Sequence, residues 1–454
     1  MASIAVLGAG RSAGYFIEYF VGLCREQNWK LKIADLNVDH LKHYQENFPL
    51  LELVSAELSK EEERETVISG CDWVVSLLPA FMHPDVAKNC LSAGCNLATA
   101  SYVSDEMKVL GEQAAEKGLV FLNECGLDPG IDHMSAMKIM DELRTKGATI
   151  TGFQSYCGGL IAPDYLQDNP WKYKFSWNPR NVILAGNGTS TGLKDGTMKV
   201  IPYQRNFQFP VKIQLHTGDE YDGYMNRDSL SYQSVYNLEN LNTMIRGTLR
   251  YPGYCRAWNI FIHLGITDNS YLYPLKAGMT YQEFFHSFLN GNDHNDISAS
   301  IKNTLGMPEY EQEAIDKIIW TGINSNELIS IEEGSPAAIL QELLEQKWKL
   351  EKEDKDLVVM QHLINYSLNG DEFTFRSSLS IQGDGSYNTA MSKTVGLPLA
   401  MAVKQFLFKT IDLKGIVVPI YPEIYNPVLT ELEQYGICFI EETISEPVSE
   451  SKPE

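Results

Sequence analysis

The sequence predicts an α/β protein: an N-terminal, doubly wound parallel sheet, then a mixed α/β second domain that carries an inserted helical subdomain. Three observations carry the prediction. The first 123 residues alternate short apolar runs with amphipathic stretches, a glycine-rich loop closes the first run, and the texture of the chain changes near residue 147.

The runs are SIAVL, KLKIAD, LELVS, WVVSLL, NLATA and LVFLN, with helical stretches such as HPDVAKNCLSAG and DEMKVLGEQAAEKG between them. Six βα units in succession imply a parallel sheet covered by helices on both faces, because parallel pairing needs a long crossover. Ligands of such a sheet lie outside the carboxyl ends of its strands. From about residue 147, TITGFQSYCGGL, KVIPYQ and FPVKIQLHT read as strands of a different sheet, separated by loops containing Gly, Asn and Pro. Between roughly 280 and 350 the pattern turns helical and acidic, through YQEFFHSFLN, EQEAIDKIIWTGI and PAAILQELLEQKWKLEKEDK. DLVVMQHLINY and EFTFRSSLSI follow, and GLPLAMAVKQFLF and KGIVVPI read as a helix and a strand that pack back on the first domain. The expected boundaries are 1–130 for the first domain, completed by 395–440; 131–275 with 355–394 for the mixed domain; 276–354 for the helical subdomain; and 441–454 for a disordered tail.

Composition narrows the function classes. At 44% apolar and 21% charged, the 454 residues can build a sizeable core, and 59 acids against 37 bases give a net charge of −22. That charge repels nucleic acid and acidic membranes, so a substrate needing cations must meet local basic residues. No basic region precedes the first apolar run and no 18 apolar residues adjoin, so neither a secretory signal nor a membrane span is expected, and the expected compartment is the cytoplasm. The eight cysteines form no CxxC pair and the nine histidines no HExxH or HxH spacing, so reduced thiols and no metal are expected; His40 and His43 read as a solvated helix face.

After the first run stands Gly8-Ala9-Gly10-Arg11-Ser12-Ala13-Gly14. Gly8 permits the tight turn, Gly10 lets a pyrophosphate approach the backbone, Ala13 allows close helix packing, and the helix that follows offers free N–H groups to phosphate. Glycines between a strand and a helix can merely break the chain, but Asp35, 21 residues beyond Gly14 at the end of the second strand, adds a specific signal. A carboxylate there accepts hydrogen bonds from the adenosine ribose hydroxyls and repels a 2′-phosphate, which marks a Rossmann domain for NAD; the plainer reading of Asp35 is a cap for the next helix.

The later strand ends carry Leu77-Leu78-Pro79, Thr99 to Ser104, and Asn123-Glu124-Cys125-Gly126-Leu127-Asp128-Pro129-Gly130-Ile131-Asp132-His133. Loops this polar at a sheet's carboxyl edge suit a binding site, although His133 reads equally as an ordinary first-turn residue. Further on, Ser155 to Gly159, Tyr173 to Trp177, Asn226 to Ser229 and Arg246 to Tyr251 mix aromatics with arginines and suit an anionic small molecule.

Taken in order, the words SLLP, TASYVS, GLDPGIDHM, SYCGGL, YKFSW, NRDS and RGTLRY, continued by DKDLVVMQH and the GLPLAMAVK helix, resemble the glutamate-forming saccharopine dehydrogenases over nearly the whole chain. The resemblance implies oxidation of saccharopine by a nicotinamide cofactor and water to glutamate and 2-aminoadipate 6-semialdehyde, or the reverse, and a homodimer formed through the second domain. It implies that Gly8, Ala9, Gly10, Arg11, Ser12, Ala13, Asp35, Ala56, Glu57, Leu77, Ala100, Ser101, Leu127, Asp128, Pro129 and Ser176 line the cofactor. Tyr102, Val103, Asp128, Arg227, Thr248, Leu249 and Arg250 would hold the substrate, with Arg246 close by, and Asp128, Tyr102 and Cys157 would move protons or place water. Cys157 also reads as a small buried filler. NADP-using fungal relatives carry a basic residue after the second strand, so Ala34-Asp35-Leu36-Asn37 resembles the NAD-using, lysine-degrading branch and points to cleavage. A carboxynorspermidine dehydrogenase or a silent NAD-binding sensor remains the alternative.

Overall fold

The computed structural model describes residues 1–10, 12–166, 168–238, 240–290, 296–306 and 312–444. They divide into two compact units, Met1–Gly147 with Ile381–Phe439, and Ala148–Ser380 with the residues from Ile440 on. Against the 1–130 and 395–440 suggested by sequence texture, the first part of this unit runs on to Gly147 and its second part starts already at Ile381.

The first unit holds β1 (Ser3–Leu7), β2 (Lys30–Asp35), β3 (Leu51–Ser55), β4 (Trp73–Ser76), β5 (Asn96–Thr99) and β6 (Val120–Leu122). Together with Gly415–Val417 they form one sheet, in the order Gly415–Val417, β6, β5, β4, β1, β2, β3. Every pairing is parallel. Such strands are covered on both faces, which is why β4 and β6 are buried at every residue and the sequence shows apolar runs rather than alternation. The chain runs outward from β1 through β2 to β3, then returns to place β4 on the other side of β1. This reversal opens a crevice beyond the carboxyl ends of β1 and β4.

The return of the C-terminal part is specific. The helix Ala390–Leu407 packs on the helix Gly14–Glu26, and a methyl group added at Gly396 would lie 2.7 Å from the backbone nitrogen of Phe16. Gly396 is what lets two helix backbones approach this closely. Gly415–Val417 then extends the sheet beside β6, in the register Gly415 to Val120 and Val417 to Leu122.

The second unit is built on β7 (Thr149–Ile161), β8 (Ser190–Lys194), β9 (Thr197–Ile201), β10 (Val211–Gln214), β11 (Glu220–Met225), β12 (Thr243–Arg250), β13 (Asp356–Leu368) and β14 (Asp371–Gln382). The main path of the sheet is β10-β11-β12-β7-β13-β14, with the strand Ile440–Ile444 outside β14 and the β8–β9 hairpin beside β12. Only β12 and β7 run parallel among the described pairings, so the sheet is mixed. The tail expected to be disordered from 441 thus begins with an edge strand: Ile440–Ile444 pairs along Thr374–Ser378, where backbone hydrogen bonds order residues whose side chains are nearly all exposed. The rest of that expectation lies outside the described residues.

Helices Tyr254–Leu264, Tyr281–His286, Ile297–Leu305, Gln312–Trp320 and Pro336–Lys347 share one core with Trp171, Tyr173 and Phe175. The helical stretch is therefore packed into the second unit around a common aromatic centre, where Trp171 stacks on Phe261 at 5.9 Å and meets Trp258 and Trp348 edge-on. No described helix is long and apolar enough to cross a membrane.

Overpacking the Gly396 crossing tests this account. Gly396→Ala is expected to destabilise the protein by about 1–3 kcal/mol, read as a lower urea midpoint at unchanged m-value. An unchanged midpoint would show that the helices separate freely there.

Candidate active site

The glycine-rich loop begins where β1 ends. Gly8 has φ +101°, a conformation that side chains disfavour, and its N–H donates to the Ala34 carbonyl at 2.8 Å. An added methyl would also meet the Leu77 carbonyl carbon at 3.1 Å, since the ends of β1 and β4 close on one another here. Gly10 differs: nothing lies within 4 Å of where its methyl would be, so its backbone faces open space. The helix Gly14–Glu26 starts with buried Ala13 at its N-cap, no capping side chain and no acid in its first turn; Ser392 Oγ accepts only the Tyr15 N–H, at 3.3 Å. A helix end whose own N-cap residue offers no acceptor, beside an open glycine backbone, is suited to a phosphate. Ser12 is half-buried in the same turn, and Arg11 lies outside the described residues.

Asp35 is the last residue of β2, and one carboxylate oxygen accepts the Ala9 N–H at 2.6 Å. The acid therefore ties the loop to the neighbouring strand, rather than capping the next helix as the plainer reading had it. Its other oxygen has only a long 3.5 Å contact from the Asn37 N–H. Ala56 is buried, whereas Glu57 is exposed and already engaged, accepting from Ser59 Oγ at 3.1 Å and pairing with Lys60 at 2.6 Å. The hydrogen bond from Lys60 holds the Glu57 carboxyl below the usual range.

At the ends of β5 and β6 one buried carboxylate organises two loops. Glu124 has φ +55°; its Oε1 accepts the Val103 N–H at 2.9 Å, its Oε2 lies 2.9 Å from His133 Nε2, and its N–H donates to the Ser101 carbonyl at 3.0 Å. His133 is fully buried, so it is the far anchor of this loop and not an incidental first-turn residue. The loop so held brings the Tyr102 hydroxyl to donate to Asp128 Oδ1 at 2.8 Å. Ala100 packs where a methyl at Gly126 would come within 2.9 Å, and Leu127 and Pro129 are buried around the cis Asp128–Pro129 peptide. Asn123, at 0% exposure, has no described hydrogen-bond partner for either carboxamide atom.

Sequence reasoning missed His83. It opens the helix His83–Ala93 behind β4, with Nδ1 3.0 Å from Ser76 Oγ and Nε2 2.8 Å from Ser101 Oγ and 2.9 Å from Thr99 Oγ1. Burial holds its pKa down at about 4, so the ring is neutral at neutral pH. A lone histidine after Leu77-Leu78-Pro79 carries no local signal of these partners.

The remaining expected residues belong to the second unit. Cys157 on β7 is buried and registers with Thr248 on β12. Leu249 and Arg250 follow it, both buried, and Arg250 makes no ion pair among the described residues. Its guanidinium sits over Tyr173, Tyr254 and Tyr224 at 5.1, 5.3 and 5.8 Å from the ring centres, donates to the Leu249 carbonyl at 2.9 Å and leaves Nε unpartnered. A buried cation held by π faces is a place where an arriving carboxylate would gain much. Arg246 stacks on Tyr232 at 4.1 Å. Arg227 is exposed at φ +51°, and Ser176 is buried with no described hydrogen bond to its Oγ.

Residues 4–122 match the saccharopine dehydrogenase NADP binding domain and residues 126–437 the saccharopine dehydrogenase C-terminal domain. The chain is 31% identical over 398 residues to saccharopine dehydrogenase (NADP(+), L-glutamate-forming) of Saccharomyces cerevisiae, covering 86% of this chain and 89% of that one. Against the mitochondrial alpha-aminoadipic semialdehyde synthase of Rattus norvegicus it is 32% identical over 454 residues, 96% of this chain and 47% of that one, so it spans about half the length of such relatives. The solved structure of the apo histidine-tagged saccharopine dehydrogenase (L-Glu forming) from Saccharomyces cerevisiae matches with a TM-score of 0.86 at 29% identity, covering 98% of this chain and 100% of that one.

The two glycines of the loop should separate on substitution. Gly10→Ala is expected to keep the melting temperature of the free protein and to weaken dinucleotide binding about tenfold or more, whereas Gly8→Ala should destabilise the free protein by about 1–3 kcal/mol. Calorimetric melting beside a dinucleotide titration of both variants checks this, and equal melting losses would refute it.

Proposed function

The chain belongs to the saccharopine dehydrogenase family, and from that premise we propose that it oxidises the secondary amine of saccharopine, with water, to glutamate and 2-aminoadipate 6-semialdehyde. The carrying observation is the Tyr102–Asp128 hydrogen bond on the same sheet edge as the glycine loop. A bound nicotinamide dinucleotide supplies the hydride acceptor. When the carbon beside the amine loses hydride and the nitrogen its proton, an imine remains; water adds to it, and the carbinolamine collapses to amine and aldehyde. Tyr102 and Asp128 are suited to orient that water and pass its proton, and Cys157 carries the same chemistry on the second unit. Arg250 and Arg227 are suited to the substrate's carboxylates, and Val103 on the first unit and Thr248 and Leu249 on the second to contacts with its chain. Arg250 has the stronger support, because its charge is buried with no described counter-ion.

The cofactor reading is NAD. A carboxylate at the end of the second strand of a Rossmann sheet suits ribose hydroxyls and repels a 2′-phosphate, and the tie of Asp35 to the Ala9 N–H supports that reading by holding its charge beside the loop. The fungal relatives are named for NADP(+), so this is a difference proposed for this chain. With NAD the working direction is cleavage, since cellular NAD is kept largely oxidised. A homodimer belongs to the same proposal, resting on family resemblance.

The test is absorbance at 340 nm with saccharopine and either cofactor, with glutamate identified as product. We expect kcat/KM with NAD to exceed that with NADP by about tenfold or more, and Arg250→Ala to lose about two orders of magnitude. Equal use of NADP would remove the Asp35 argument, and no glutamate with either cofactor would remove the reaction.

A further inference from the structure

We propose that His83 is a positioning residue: its imidazole fixes the Ser101 hydroxyl at the half of the crevice that takes the nicotinamide nucleoside. The proposal rests on the dinucleotide reading of the first unit and adds to it a residue behind the binding surface.

The placement follows from topology. In a doubly wound sheet each half serves one nucleotide, and Asp35 at the end of β2 marks the β1–β3 half as the adenosine side. Ser76 ends β4, Thr99 ends β5 and Ser101 lies two residues further, so all three belong to the other half. His83 joins them from behind, itself only 2% exposed, while Ser101 is half-buried.

Every other handle on Ser101 is already fixed. Its carbonyl accepts from the Glu124 N–H at 3.0 Å, its own N–H donates to Thr99 Oγ1 at 3.3 Å, and the next residues are held by Asp128 and Glu124. The side-chain torsion is the one freedom left, and His83 Nε2, shared between Ser101 Oγ at 2.8 Å and Thr99 Oγ1 at 2.9 Å, restrains it. A neutral imidazole has one N–H and one lone pair, so whichever tautomer is present, one nitrogen donates and the other accepts. If Nε2 donates, Ser101 turns its own O–H toward a ligand; if Nε2 accepts, Ser101 offers a lone pair. In both cases a hydroxyl that would otherwise rotate is preorganised, and preorganisation is gained as affinity.

Two conservative substitutions separate this from a structural role. The carboxamide of Asn reaches only the Nδ1 position and keeps Ser76; that of Gln reaches the Nε2 position, which faces Ser101 and Thr99. His83→Asn is expected to raise the Kd for NADH about tenfold, while the Kd for ADP, which probes the adenosine side alone, and the melting temperature stay near wild type. His83→Gln should restore NADH binding to within about twofold. Ser101→Ala should match His83→Asn, and the double variant should be no weaker than Ser101→Ala, because both act through one hydroxyl. Unchanged NADH affinity in His83→Asn overturns the proposal, as does a joint loss of NADH and ADP affinity that Gln fails to rescue. Failure of the wild type to bind NADH would instead overturn the dinucleotide reading on which it stands.

Discussion

A parallel sheet covered by helices on both faces confines polar chemistry to the ends of its strands. That constraint governs the first unit. β4 and β6 have no exposed residue, so every functional group described there, from Gly8 to Asp128, stands at or beyond a carboxyl end. The loops that leave those ends would be free to move if nothing held them. Glu124 holds them, engaging His133 and the Val103 and Ser101 backbones at once. A buried carboxylate is expensive unless each oxygen is satisfied, and both of these are. The same requirement that makes Glu124 tolerable therefore makes the Tyr102–Asp128 geometry reproducible.

The second unit meets the opposite problem, a buried cation. Arg250 is surrounded by tyrosine rings rather than carboxylates, which keeps it charged and leaves capacity for an anion. Elsewhere in that unit a buried charge is paired: Lys174 meets Asp354 at 2.6 Å, with both nearly inaccessible. The contrast between a satisfied pair and an unsatisfied cation in one unit distinguishes a structural charge from one held for a ligand.

Much of this was legible in the sequence, and the reasons are local. Parallel strands declared themselves as apolar runs because both faces are covered, and Gly8 was readable because only a residue without Cβ accepts its backbone. Asp35 was readable because it ends a strand at a fixed distance from that loop. The expected disordered tail failed at Ile440–Ile444, since ladder pairing with β14 depends on a partner strand that composition does not reveal. Glu57 looked like a strand-end carboxylate but is engaged by Lys60 three residues on.

What the sequence by itself determined, then, is whatever periodicity and backbone stereochemistry encode: the α/β class, the strand ends at which chemistry is allowed, the glycine loop and the position of the acid that ties it. Tertiary structure decided which side chains meet there. His83 reaches Ser101 only because β4 and β5 lie side by side, Glu124 finds His133 across a turn of chain, and Arg250 gathers three tyrosines from separate elements. Such contacts follow from strand order and packing, so the residue types alone cannot announce them.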